Sequence, residues 1–115
     1  MITVRFFQKP ERGSIHMIVG GHARDAPKGQ DLICAAATAV TYAVAQAVQF
    51  MAEQGQLARK PLISLKDGQA TIVVTPLPEH YEEALHTFFV GQCGMHCLSR
   101  NYPKNVQVCY FDAEG

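Results

Sequence analysis

Ile2, Val4 and Phe6 alternate with Thr3, Arg5 and Phe7, the two-residue period of a strand that turns one face to a core. Lys9-Pro10-Glu11-Arg12-Gly13 supplies turn residues, and Ser14 to Val19 reads as the returning strand of a hairpin. A second hairpin is predicted where Pro61 to Leu65 and Gln69 to Thr75 flank Lys66-Asp67-Gly68, because an Asp-Gly pair tolerates the positive φ angles of a tight turn. Between the hairpins the period becomes helical. Ile33, Ala36, Ala37, Val40, Val44, Ala47, Val48 and Met51 fall on one side of a long helix, with Asp31 placed to cap its start and Gly55 beyond its end.

After Pro76-Leu77-Pro78 a second helix is predicted, with Glu79, Glu82 and Glu83 in its first turns and Tyr81, Ala84, Leu85, Phe88 and Met95 on its apolar face. Gly91 and Gly94 weaken the expectation that it runs unbroken. Val106, Val108 and Tyr110 alternate beyond Asn101-Tyr102-Pro103-Lys104-Asn105 and read as a last strand. The order β-β-α-β-β-α-β predicts an α+β two-layer sandwich, a mostly antiparallel sheet with two helices on one face. Strand order lies beyond what the pattern defines.

Length and charge narrow the picture. A chain of 115 residues fits a single domain spanning 1–115 that buries a core without disulfide or metal staples. Ten basic residues balance ten acidic ones, so no net field draws the chain to nucleic acid or an anionic membrane. Arg5, Lys9, Glu11 and Arg12 break up any signal-peptide core. The stretch Leu32 to Ala52 nears the length of a membrane span, but it is built on alanine and carries Thr38, Thr41, Gln46 and Gln49, which suits a helix packed on a sheet. The expected setting is the cytoplasm, and there the cysteines Cys34, Cys93, Cys97 and Cys109 are expected as separate thiols.

The candidate chemistry lies in Gly20-Gly21-His22 through Asp31-Leu32-Ile33-Cys34. With Asp31 as cap, Cys34 stands in the first helical turn, where free backbone N–H groups and the helix dipole favour a thiolate and offer donors to an oxyanion. Gly20 and Gly21 let the chain turn His22 back over that helix start. The segment from Ala23 to Gln30, with Pro27 and Gly29 and no apolar period, is expected as an exposed lid. Spacing alone also allows the plain reading of a buried cysteine and a solvated loop histidine. Cys93, His96 and Cys97, with His86 or Cys109, form a rival zinc constellation. A C-x3-C pair on one helix still needs ligands from elsewhere, so core cysteines, no metal and no cofactor are expected.

Gly21-His22-Ala23 followed by Gly29-x-Asp31-x-Ile33-Cys34-Ala35-Ala36 resembles the signature of the bacterial ribosomal-processing cysteine protease (Prp) family, and the order of predicted elements resembles that family over nearly the whole chain. The resemblance implies a small α+β homodimer that removes a short N-terminal extension from a large-subunit ribosomal protein precursor, cutting after an aromatic residue. It implies that His22 and Cys34 are the catalytic pair and that Gly21, Gly29, Asp31, Ala35 and Thr38 bind or orient the substrate. An apolar groove beside Cys34 is then expected under the Ala23 to Gln30 loop. Thr38 stands where the family usually has serine, Arg24 and Asp25 add charge to the loop, and Cys93 and Cys97 lie outside the motif. The alternative is a ribosome-associated binding module that grips its partner without cleaving it.

Overall fold

The computed structural model describes residues 1–22 and 31–109. Its elements are β1 (Ile2–Lys9), β2 (Ser14–Gly20), α1 (Leu32–Glu53), β3 (Leu62–Lys66), β4 (Gln69–Val74), α2 (Tyr81–Asn101) and β5 (Val106–Cys109). The predicted order and the α+β class hold. Tyr110, expected to continue the last strand, lies outside the described residues.

The five strands form one sheet in the order β3-β4-β2-β1-β5. Every neighbouring pair is antiparallel except β1 and β5, which run parallel with Ile2 opposite Val106 and Val4 opposite Val108. Register carries one apolar row across the sheet: Phe6 faces Met17, Met17 faces Ile72, and Ile72 faces Ile63. A one-residue slip would turn that row to the other side. Both helices lie against it, joining Val44, Ala45 and Val48 of α1 and Ala84, Phe88 and Met95 of α2 to the strand residues in one core.

Asp31 caps α1 as the sequence predicts, its carboxylate accepting from the Ile33 and Cys34 amides at 2.9 and 3.0 Å. The far end closes on Gly55, at φ 73°, whose N–H reaches the Ala52 carbonyl while that of Gln56 reaches Met51. This is a Schellman closure, and its left-handed residue favours glycine. By length and composition α1 could cross a membrane, yet here Ala37, Thr41, Val44, Ala45, Val48 and Met51 are buried within the domain.

α2 is continuous through both glycines, preceded by a 3-10 turn over Pro78–His80. The glycines lie where α2 packs against α1. A Cβ on Gly91 would stand 2.5 Å from Val44 Cγ2, and one on Gly94 would stand 3.1 Å from Val40 Cγ2. Position 91 rises to 94 as 44 falls to 40, so the helices run antiparallel with two valines of α1 set against bare backbone of α2. Residues whose weak helix propensity argued for a break are what lets α2 press α1 onto the sheet.

The expectation that Cys93 and Cys97 are core cysteines fails. Both are exposed free thiols, as is Cys109, and Cys34 is half-buried. Met95 points into the core, and positions two residues to either side lie about 200° round the helix, on its outer surface. Among the described residues, no group of three His, Cys, Asp or Glu side chains is placed to hold a metal ion.

Candidate active site

Three elements converge at one end of the sheet. β2 ends at Gly20, and Gly21 then takes φ 91°. A side chain there would run into the backbone carbonyl of Met1, so only glycine lets the chain turn this close to the start of β1. The Gly21 N–H donates to the Gly68 carbonyl at 3.0 Å, tying the segment to the β3–β4 turn. His22 follows, half-buried.

α1 begins beside it with Cys34 in its first turn. Cys34 and His22 line the same cleft, of about 420 Å3. Ile2, Val19, Ala37 and Ala70 give the cleft apolar surface. Thr38, Thr41 and Tyr42 contribute from α1, and Leu65 to Gln69 from the β3–β4 hairpin. The buried Thr41 hydroxyl donates to the Ala37 carbonyl at 2.8 Å, so it is satisfied within the helix. Of the residues singled out from sequence, Gly21, His22, Cys34 and Thr38 meet at this cleft. Asp31 stands behind it as the cap, and Ala35 is exposed, its amide bonded to the Asp31 carbonyl at 3.1 Å. Gly29 and the expected Ala23 to Gln30 lid lie outside the described residues.

The cap engages part of this helix start: the Ile33 and Cys34 amides donate to the Asp31 carboxylate, and the Ala35 amide closes the first helical bond onto the Asp31 carbonyl. The Asp31 carboxyl is held below its ordinary range, first by the Cys34 amide, then against the opposing effect of burial by the Cys34 thiol, the Ile33 amide and the charge of His22.

The hairpin side of the cleft was invisible to sequence reasoning. Lys66-Asp67-Gly68 announces a turn, but nothing local says that β4 pairs with β2 and brings that turn to His22. Tyr42 was recoverable, since it follows Cys34 and Thr38 at four-residue steps on one helix face.

A half-buried thiol in the first turn of a helix and an imidazole on the same cleft are the groups a thiol hydrolase uses. The model of the family described as Cysteine protease Prp matches residues 1–107, and the chain belongs to that family. It is a cysteine protease. Among solved structures, it is similar to the Staphylococcus aureus ribosomal processing protease Prp in complex with a covalently linked product peptide, at 23% identity and TM-score 0.70, covering 97% of this chain and 100% of that one. The same S. aureus protease in complex with a substrate peptide gives 21% identity and TM-score 0.67, with 97% and 100% covered. SMU.848 from Streptococcus mutans gives 20% identity and TM-score 0.68, covering 99% of this chain and 96% of that one. These likenesses establish the shared fold. Comparison with curated proteins finds no match.

Proposed function

We propose that this protease is a single domain spanning 1–115 that removes a short N-terminal extension from a large-subunit ribosomal protein precursor, with Cys34 as nucleophile and His22 as general acid and base. The observation that carries this reading is the convergence of Cys34 and His22 on one peptide-sized cleft. The family match supports the class of reaction, and the S. aureus relative held with substrate and product peptides supports the substrate class.

In the proposed cycle the Cys34 proton passes to His22, and the thiolate attacks the scissile carbonyl to form a tetrahedral adduct. The C–N bond then breaks as His22 returns its proton to the leaving amine. His22 next takes a proton from water, the hydroxide attacks the thioester, and the Cys34–acyl bond breaks. Asp31 orients Cys34 by holding its amide, and Gly21 sets where His22 enters the cleft. Thr38 and Tyr42 contact the bound peptide beside the apolar wall, and Gly29 and Ala35 help to bind or orient it. No cofactor takes part in these steps. The protein works in the cytoplasm as a homodimer, a state favoured by the exposed Phe50 on α1 and Phe89 and Val90 on α2.

The test incubates the precursor from the same organism with enzyme and follows its mass. Wild type releases the extension, while Cys34→Ala and His22→Ala slow release by ~10^3-fold or more. Cleavage by Cys34→Ala at the wild-type rate would sink the assignment.

A further inference from the structure

A Cβ built on Gly68 would lie 2.7 Å from His22 Nε2, 3.3 Å from Cε1 and 3.5 Å from Cδ2. The Nε2 edge of the imidazole therefore rests against bare backbone at the tip of the β3–β4 hairpin. The same residue accepts the Gly21 N–H at 3.0 Å. Gly21 itself is hemmed in from the opposite side by the Met1 carbonyl. The segment carrying His22 is thus held between the start of β1 and the hairpin tip, with its ring seated on Gly68.

We propose that Gly68 is a positioning residue: its missing side chain is the seat that sets how far His22 projects into the cleft towards Cys34. A turn glycine needs only its positive φ, and Gly68 has that at 76°. The contact with His22 is a second, separate demand. Any side chain at 68 pushes the ring about 0.5–1 Å off its seat to restore an ordinary contact. Displacements of about 1 Å at a catalytic group cost on the order of 100-fold in rate.

Gly13 provides the control, because it tips the β1–β2 hairpin at φ 64° with nothing within 4 Å of a built Cβ. Alanine at either position imposes the backbone strain of a left-handed residue, and only at 68 does it also displace His22. Asparagine tolerates the left-handed region, so Gly68→Asn keeps the fold while retaining the offending Cβ.

The kinetic arm rests on the proposed role of His22. The experiment compares Gly68→Ala and Gly68→Asn with Gly13→Ala and Gly13→Asn, reading kcat and KM on a precursor peptide and the 15N signals of the His22 ring by NMR. Both Gly68 variants are expected to lose kcat about 10- to 100-fold with KM within about twofold of wild type. Their His22 ring signals move, and both Gly13 variants keep wild-type kcat and ring signals. Wild-type kcat in Gly68→Asn, an equal loss in Gly13→Asn, or unmoved His22 signals in Gly68→Asn overturns the proposal. If His22→Ala cleaves normally, the catalytic role proposed for His22 fails on its own, and the ring signals alone decide whether Gly68 seats His22.

Discussion

Replacing Gly91 by alanine sets two known quantities against each other. In an exposed helix interior the change stabilises by about 0.8–1.0 kcal/mol, the difference in helix propensity. Gly91 is buried, however, and the new Cβ would stand 2.5 Å from Val44 Cγ2, with Phe6 ring carbons at 3.8 and 3.9 Å behind it. Carbon atoms pack at about 3.5–4.0 Å, so the overlap is roughly 1 Å. Val44 cannot swing clear, because a β-branched side chain in a helix is held near one rotamer. Forcing a methyl into such a core costs about 1–3 kcal/mol, so Gly91→Ala should lose about 1 kcal/mol net. That corresponds to a Tm lower by about 4 °C for a domain of this size.

The assay is urea unfolding of Gly91→Ala, Val44→Ala and the double variant. Val44→Ala alone removes two buried methyls and should cost about 2–3 kcal/mol. In that background the obstacle is gone, and Gly91→Ala should recover its propensity gain of about 1 kcal/mol. The coupling between the sites is then about 2 kcal/mol. Gly94→Ala meets Val40 at 3.1 and 3.2 Å, a mild overlap that should nearly cancel the propensity gain and leave stability within about 0.5 kcal/mol. If Gly91→Ala stabilises the wild type by the full propensity difference, the close approach of α1 and α2 is wrong.

The further predictions concern two titrating groups. Asp31→Asn keeps an oxygen for the cap, so its Tm should stay close to that of wild type; a loss as large as that of Asp31→Ala refutes the capping role. Asp31→Ala loses the cap and should lower Tm by a few degrees. Because the Asp31 carboxyl is held low in the fold, its stabilising contribution is present above the ordinary carboxylate range and is lost as pH falls through the lowered value. His16 stacks on Phe7 at 4.5 Å and shares a 2.8 Å hydrogen bond with Ser14. Burial first, then Lys9 and Arg12, push its pKa below the ordinary 6.5. The unfolded chain therefore takes up a proton before the fold does. His16 stabilises above pH 6.5 and loses that contribution as pH falls towards its lowered value. Tm should drop between about pH 8 and pH 5, and His16→Gln should flatten the slope; an equal slope in the variant removes His16 as the cause.

What the sequence made legible was local. Alternation in β1, the Asp31 cap, the Gly55 closure and the Asp-Gly turn each follow from a few consecutive residues, and each stands in the structure. The errors arose where one residue answers to a distant element. Gly91 and Gly94 look like helix breakers until Val44 and Val40 stand opposite. Cys93 and Cys97 look like core residues until Met95 takes the inward position.

The site divides in the same way. Cys34 and His22 stand in one short motif, so the motif names them, but their meeting depends on the order β3-β4-β2-β1-β5. Pairing β4 with β2 places Gly68 beside Gly21, and pairing β1 with β2 places Met1 against the opposite side of that glycine. Two neighbours far apart in sequence thus constrain the chain on either side of His22. A substitution that unpairs either neighbour should therefore disturb His22 while leaving the capped thiol in place, because Cys34 stands on α1 with its amide held by Asp31. Loss of cleavage with unchanged alkylation of Cys34 is the expected signature of damage on the hairpin side. Loss of both together points to α1.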